Sequence, residues 1–292
     1  MISIKYGGRL GNRMYSNAYG FILSKKLGCK LNCETLEGFE NTYCKKYDIS
    51  TISEKSFHYK KDYDTNIYEI YKNNNSNYHI TIDGPFMNYK IYEPHLISLR
   101  HYFTCNIPLK ITPKKNDIVI HIRSGDIWYK ETMKKYNLNF GHHSKKYIKR
   151  QLQVALPLDF FCNIIDKNCF ENIIIVTEYK EDLICQKLKK IYENVIIVSE
   201  SINHDFQLIR KANNIVMSNS TFSWWAAFLS NAEKIYYPNI GYFKNNAREH
   251  INLDITHDDR YIKVNLDEKF KRFHNEWNGD ENDLKLCLSI DK

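Results

Sequence analysis

No apolar run in this 292-residue chain approaches the ~18–20 residues that a membrane-spanning helix needs. Integral helical membrane proteins are thereby excluded, and at most peripheral membrane contact is expected. The opening residues, Met1 to Gly8, lack the long apolar core of a signal peptide, so a cytoplasmic location is expected. Cysteine never occurs as C-x-x-C: Cys29, Cys33, Cys44, Cys105, Cys162, Cys169, Cys185 and Cys287 are scattered. With a cytoplasmic reading this argues against a zinc site or a disulfide framework and for free buried thiols. A dense Lys/Arg block is also missing. The net charge of +8 comes from Lys spread among Asn, Tyr and Ile, which argues against nucleic acid as the partner. No G-x-G-x-x-G occurs, so a dinucleotide site is not expected.

What the chain does contain is ordinary for a soluble protein, with 43% hydrophobic and 26% charged residues. Its length suits two domains of ~120–150 residues. In the first half, Ile2 to Tyr6 is β-compatible. Gly7-Gly8-Arg9-Leu10-Gly11-Asn12 follows, then a helical stretch from Arg13 to Leu27. Strand, glycine turn and helix open a Rossmann-like unit. Lys30 to Cys33 reads as the next strand. Residues 40–78 are polar and irregular, and their Asp62-Tyr63-Asp64 reads as a solvated surface segment, with a metal and diphosphate clamp as the alternative. His79 to Asp83 is a strand broken by Gly84-Pro85, and Asn88 to Phe103 is helix-compatible, interrupted near Pro94. Pro108 and Pro113 mark a connection, giving an N-terminal domain over 1–110.

From there, apolar strands alternate with helical runs of about ten residues, which predicts βαβ units on a parallel sheet. The strands are Asp117–Arg123, Ile173–Val176, Val195–Val198, Ile215–Met217 and Lys234–Tyr237. This second domain covers 111–264, and 265–292 reads as a charged surface tail with a helix. The polar insert from Ile127 to Leu156, with His142-His143, reads as a mobile loop.

Two places carry chemistry. The first is Ser218-Asn219-Ser220-Thr221-Phe222-Ser223, small polar residues placed ahead of the apolar helix Trp224 to Leu229. Such residues cap a helix whose first-turn N–H groups form an anion site; the alternative is an ordinary cap on a buried helix. The second is His121-Ile-Arg123-Ser-Gly-Asp126, at the end of a strand buried on both faces. A guanidinium there grips a diphosphate, and Asp126 orients it or contacts a base or sugar. His121 and Arg123 alternate along the strand and share a side. The alternative is a buried Arg–Asp pair holding a loop. Both places fall on the C-terminal edge of one sheet, where α/β proteins bind ligands, and this coincidence points to a phosphate-bearing ligand.

The two motifs also resemble a known family. His121-Ile-Arg123-Ser-Gly-Asp126 looks like the H-x-R-x-x-D motif of inverting fucosyltransferases. Gly7 to Met14 is similar to the G-G-L-G-N-Q-M stretch of glycosyltransferase family 11, the α-1,2-fucosyltransferases. Ser218 to Ala227 resembles that family's N-S-T-F-S-W-W-A-A nearly letter for letter, and Gly84 to Lys90 more loosely resembles its G-Y-F-Q-S segment. The resemblance implies an α/β, GT-B-like fold, with two Rossmann-like domains facing a central cleft. It implies GDP-β-L-fucose as donor, a glycan acceptor (the 2-OH of a galactoside), inversion at the anomeric carbon and no metal cofactor. By motif position, Arg123 holds the diphosphate and is catalytic with Asp126. His121, Ser218, Asn219, Ser220, Thr221, Phe222 and Ser223 bind the donor. Gly8, Arg9, Gly11 and Asn12 form the loop contributed by the other domain. Asp126, Glu178, His204 and Asp205 are the candidates for a general base, Asp126 being preferred. The chain departs from the family at Ser124, Arg9 and Arg13, losing one cation beside the diphosphate and gaining two in the first loop. Another nucleotide sugar, or a non-catalytic nucleotide- or glycan-binding role, is the alternative reading.

Overall fold

The computed structural model describes residues 1–42, 54–58, 61–62, 65–73, 79–123, 125–142, 152, 154–244, 248–270 and 272–289. The chain forms two compact units. The first is Met1–Ile107 with Arg248–Leu253; the second is Pro108–Ala247 with Asp254–Lys292.

In the first unit, β1 (Ile2–Lys5), α1 (Leu10–Leu27) and β2 (Leu31–Asn32) are followed by β3 (Glu54–His58), α2 (Ile67–Asn73) and β4 (His79–Asp83). The sheet order is β2-β1-β4-β3, all parallel. Next come β5 (Met87–Asn88), α3 (Tyr89–Tyr92) and α4 (Leu96–Tyr102), with a 3-10 turn at Pro94 where proline breaks the helical run. Helix α1 lies close on β1, because a Cβ on Gly20 would come within 2.6 Å of the Ile4 Cδ1. Its left-handed C-cap is Gly28, φ 61°, a conformation that glycine adopts without steric cost. The helix starts at Leu10, earlier than the expected Arg13, since the Arg9 carbonyl accepts from both Asn12 and Arg13 N–H groups. Strand β3 and helix α2 were not foreseen within 40–78. Each adds an apolar residue to the core, Phe57 and Ile67, too few for a readable period. Of Asp62-Tyr63-Asp64 only Asp62 is described. Its Oδ2 accepts from the His58 N–H at 2.7 Å, and the other two lie outside the described residues.

The second unit is built from β6 (Ile118–Ile122), α5 (Lys130–Lys135), α6 (Leu158–Asp166), β7 (Ile173–Thr177), α7 (Leu183–Ile191) and β8 (Val195–Val198). Helix α8 (Ile202–Arg210), β9 (Asn214–Val216), α9 (Thr221–Phe228) and β10 (Lys234–Pro238) follow. After β11 (Ile251–Asn252), which belongs to the first unit, come β12 (Tyr261–Val264), α10 (Phe273–Glu276) and α11 (Glu281–Leu288). The sheet runs β12-β10-β9-β6-β7-β8, all parallel. Strands β6 and β7 are buried along their whole length, which explains their unbroken runs of Ile and Val. Asp182, Ser201 and Asp280 cap α7, α8 and α11 through their side-chain oxygens.

Two expectations change. The insert after Ile127 is not a free loop where it is described. It forms α5, and Ile127, Trp128, Tyr129, Met133 and Phe140 sit in the core. His143 and the residues through 151 lie outside the described residues. The charged segment after residue 265 is not a surface tail either: Phe270, Phe273, Trp277, Leu284 and Cys287 are all buried in the same core. The two segments pack on each other. Trp128 and Trp277 have ring centroids 5.1 Å apart, and the Trp277 indole N–H donates to the Ile127 carbonyl at 3.3 Å. The first buries one short run, Ile127-Trp128-Tyr129, ahead of a polar stretch, and the second hides single aromatics among charged residues, so neither shows an apolar period. None of the described cysteines is in a disulfide; Cys33, Cys162, Cys185 and Cys287 are buried and Cys169 is exposed.

Candidate active site

From β6 the chain proceeds outward through β7 and β8, then crosses back to lay β9 on the other side of β6. The C-terminal ends of β6 and β9 therefore flank the point where strand order reverses. In open parallel sheets this crevice holds ligands, because the crossovers lead away from it on both sides. The two motifs end on these two neighbouring strands.

They are joined there directly. His121 Nδ1 and the Ser218 hydroxyl are 2.5 Å apart. His121 is buried, and its pKa is pushed down to about 3, first by burial and then by the Arg123 charge; the imidazole is neutral at physiological pH. Phe222 leans on it, ring centroids 5.3 Å apart, and Phe206 of α8 packs edge-on to Phe222 at 5.5 Å.

Arg123 follows the strand, with its side chain 14% exposed. Its Nη2 donates to both oxygens of Asp126, at 2.9 and 3.1 Å. Its Nε is buried with no hydrogen-bond partner. A buried donor without an acceptor costs about 1–3 kcal/mol, so an anionic oxygen entering here gains a prepaid contact. Asp126, preferred from sequence as a base, is engaged with Arg123 and orients the guanidinium. Gly125 between them has φ +73°, and a Cβ there would come within 2.9 Å of the Tyr179 ring and 3.0 Å of the Glu178 carboxylate. His204 and Asp205 contact each other at 3.5 Å, and His204 Nε2 accepts from the Lys110 N–H at 3.3 Å, so this pair is also tied into local structure. Ser124 lies outside the described residues.

The Ser218–Ser223 loop divides into two roles. Ser220 is the N-cap of α9, its hydroxyl accepting from the Phe222 N–H at 3.2 Å. Thr221 opens the helix, and no acidic residue lies in its first turn, so the helix itself carries no negative side chain at its positive end. Asn219 and Ser223 instead face inward. Asn219 is fully buried; its amide donates to the Leu152 carbonyl at 2.6 Å and accepts from the Tyr242 N–H at 3.1 Å. Ser223 donates to the carbonyls of Ser218 and Ser220, each at 3.2 Å. These two hold the loop in shape. Trp224 and Trp225 are buried in the helix's packing face.

In the first unit the glycine loop leaves the C-terminal end of β1. Gly8 has φ +74°, and a Cβ there would approach the Asn12 amide within 2.6 Å. Gly11 and Asn12 lie in the first turn of α1, with Arg9 at the N-cap. Arg13 is committed to structure: it pairs with Glu34 at 3.3 Å and sits 4.7 Å over the Tyr6 ring.

Sequence reasoning passed over Asn203 and Gln207. They share one face of α8 with Phe206, four residues apart. Both are buried, and Asn203 Oδ1 and Gln207 Nε2 have no hydrogen-bond partner. Two amides at helical spacing around an aromatic were the available signal. Among the described residues, no group of three or more His, Cys, Asp or Glu converges on a metal position, and no helix is long and apolar enough to cross a membrane.

Comparison with known proteins agrees with this geometry. A mutant of Arabidopsis thaliana FUT1 in complex with GDP matches over 81% of this chain and 70% of its own, with TM-score 0.50 and 10% sequence identity. At that identity the likeness concerns the fold, which is thus α/β and GT-B-like, with Rossmann-like units on parallel sheets. Curated protein sequences give no significant match. The model of Glycosyl transferase family 11 matches residues 36–254, which takes in both motifs at the β6–β9 crevice but begins after the Gly7–Asn12 loop. That span is well over half of the sequence, and the chain accordingly belongs to glycosyl transferase family 11.

Proposed function

We propose that the protein transfers L-fucose from GDP-β-L-fucose to a sugar hydroxyl, the 2-OH of a galactoside, with inversion of the anomeric centre. One observation carries the donor side. The His121–Ser218 contact locks the Arg123 strand end to the N-terminus of α9, and both are suited to oxygens of a diphosphate. Departure of GDP builds negative charge on that diphosphate. A guanidinium with a spare buried N–H, and a helix whose first turn carries no acidic residue, stabilise that charge as it forms. No metal is needed for this role, so activity is expected to survive EDTA. Asp126 keeps the guanidinium aimed, and neutral His121 fixes the Ser218 end of the α9 loop.

The test is turnover of GDP-fucose with a panel of galactosides, GDP release being followed and the product linkage read by NMR. An α-1,2-fucoside is expected. Release of UDP from a UDP-sugar, with GDP-fucose untouched, would sink the donor assignment.

A further inference from the structure

Acidic residues are missing from the helices α1, α3 and α4 of the first unit. The chain carries 34 Asp and Glu, yet these helices hold none, while Arg13, Lys25, Lys26, Lys90 and Arg100 lie in them. Glu93 sits between α3 and α4, half-buried in the 3-10 turn. Lys25 and Lys26 close α1 and are exposed. Cations suit a helix C-terminus, so that alone is ordinary.

The surface beside them is less so. The run from α3 through the turn to α4 buries Tyr89, Tyr92, Leu99 and Tyr102. Its opposite stripe, Lys90, Pro94, Ile97, Ser98 and His101, is exposed at helical spacing. Ile97, at the centre, is 85% exposed, against 47% for Ile202 and 39% for Ile196, the other exposed large apolar side chains among the described residues. The end of α1 lies along this run. Phe21 stacks on Tyr102 with ring centroids 3.9 Å apart, and the Lys25 ammonium is 5.8 Å from the Phe21 centroid. At the other end of α4, His95 titrates below its ordinary range, through burial first and the nearby Lys26 charge second. One lysine thus stands near each end of α4, and Lys90 continues the stripe beyond Pro94.

A single exposed isoleucine is unremarkable on a protein surface. An isoleucine projecting among lysines, on a stripe without a carboxylate, has a specific complement. Anionic lipid head groups attract the lysines, and the acyl boundary beneath them takes the apolar side chain. Nucleic acid would meet the lysines and leave Ile97 in water. We infer that this face of the first unit docks on an anionic lipid bilayer, with Ile97 entering the acyl boundary and Lys25, Lys26 and Lys90 meeting head-group phosphates. One aliphatic side chain and a few lysines give weak, reversible binding. The inference is independent of the donor reading, because none of these residues belongs to the β6–β9 crevice.

The test is sedimentation of the full chain with vesicles of phosphatidylcholine alone and of phosphatidylcholine mixed with phosphatidylglycerol. Binding is expected to the anionic vesicles only, and to fall as salt is raised. Lys25→Gln combined with Lys26→Gln is expected to weaken it about thirtyfold, and Ile97→Asp about tenfold. Ile202→Asp, at an exposed isoleucine of the second unit, makes the same charge change and should bind like the parent. Melting temperature reports folding of each variant. No binding of the parent to anionic vesicles, equal binding to phosphatidylcholine alone, or parental binding by the folded lysine or Ile97 variants overturns the inference. An equal loss in Ile202→Asp, or a parent that retains single-stranded RNA and ignores vesicles, overturns it as well.

Discussion

Arg123 carries the sharpest expectation at the scale of single residues. Replacing it with alanine removes the group that meets the leaving diphosphate, while leaving the strand that positions it buried and paired. Arg123→Ala is expected to lower kcat about a hundred- to a thousandfold, corresponding to ~3–4 kcal/mol of transition-state stabilisation, with little change in melting temperature. A folded variant with parental turnover would remove Arg123 from the mechanism. Asn219 should behave in the opposite way. Its amide holds two backbone segments, at Leu152 and Tyr242, so Asn219→Ala leaves two buried backbone groups without partners. Denaturant unfolding should register a loss of roughly 2–5 kcal/mol. His121 adds a pH signature. Its folded pKa lies near 3, below the unfolded value of ~6.5, so below that value the unfolded chain takes up a proton that the folded chain refuses. The stability contribution is complete above pH ~6.5 and is lost as pH falls toward 3, by up to ~1.4 kcal/mol per pH unit. His121→Asn should flatten that dependence between pH 6.5 and 4.5 in thermal melts.

At the scale of elements, α9 is the piece on which the donor site turns. It has eight residues and one capping side chain, Ser220. Ser220→Ala is expected to cost ~1 kcal/mol and to weaken GDP binding, measured by calorimetry, through a frayed first turn. Unchanged GDP affinity would mean that the helix start does not touch the ligand. Elements of this kind were the readable ones. The runs Ile118–Ile122 and Ile173–Thr177 are buried on both faces and announce themselves, and the polar cap before Trp224 marks a helix start. Strand β3 and helix α2 each bury too little for a pattern. The division of labour inside Ser218–Ser223 was not legible either. Asn and Ser have the same hydrogen-bonding chemistry whether they face a ligand or a carbonyl, and only coordinates show Asn219 and Ser223 turned inward.

At the scale of the molecule, the last thirty or so residues contribute to the core and do not trail from it. Phe270, Phe273 and Trp277 are each 2% exposed or less, and burying such side chains is worth about 3–5 kcal/mol apiece against alanine. A chain ending at Val264 should therefore fail to fold its second unit, appearing as aggregation or as lost cooperativity in melting. A soluble truncated chain with a parental melting profile would contradict this. The same scale explains why sequence misjudged the segment: its aromatics find partners such as Trp128, roughly 150 positions away, and no local window contains both.

The return of Arg248–Leu253 to the first unit bears on how the protein is made and how it can be divided. The early unit receives its β11 strand only after the stretch Pro108–Ala247 of the later unit has been synthesised. Until then the partner edge of β5 stands incomplete on the ribosome. Cutting the gene at the inter-unit connection yields a leading fragment that lacks a strand and a trailing fragment that carries one belonging elsewhere. Supplying the peptide 248–253 to the fragment 1–107, or fusing it after residue 107 through a short linker, is the route to an autonomous first half.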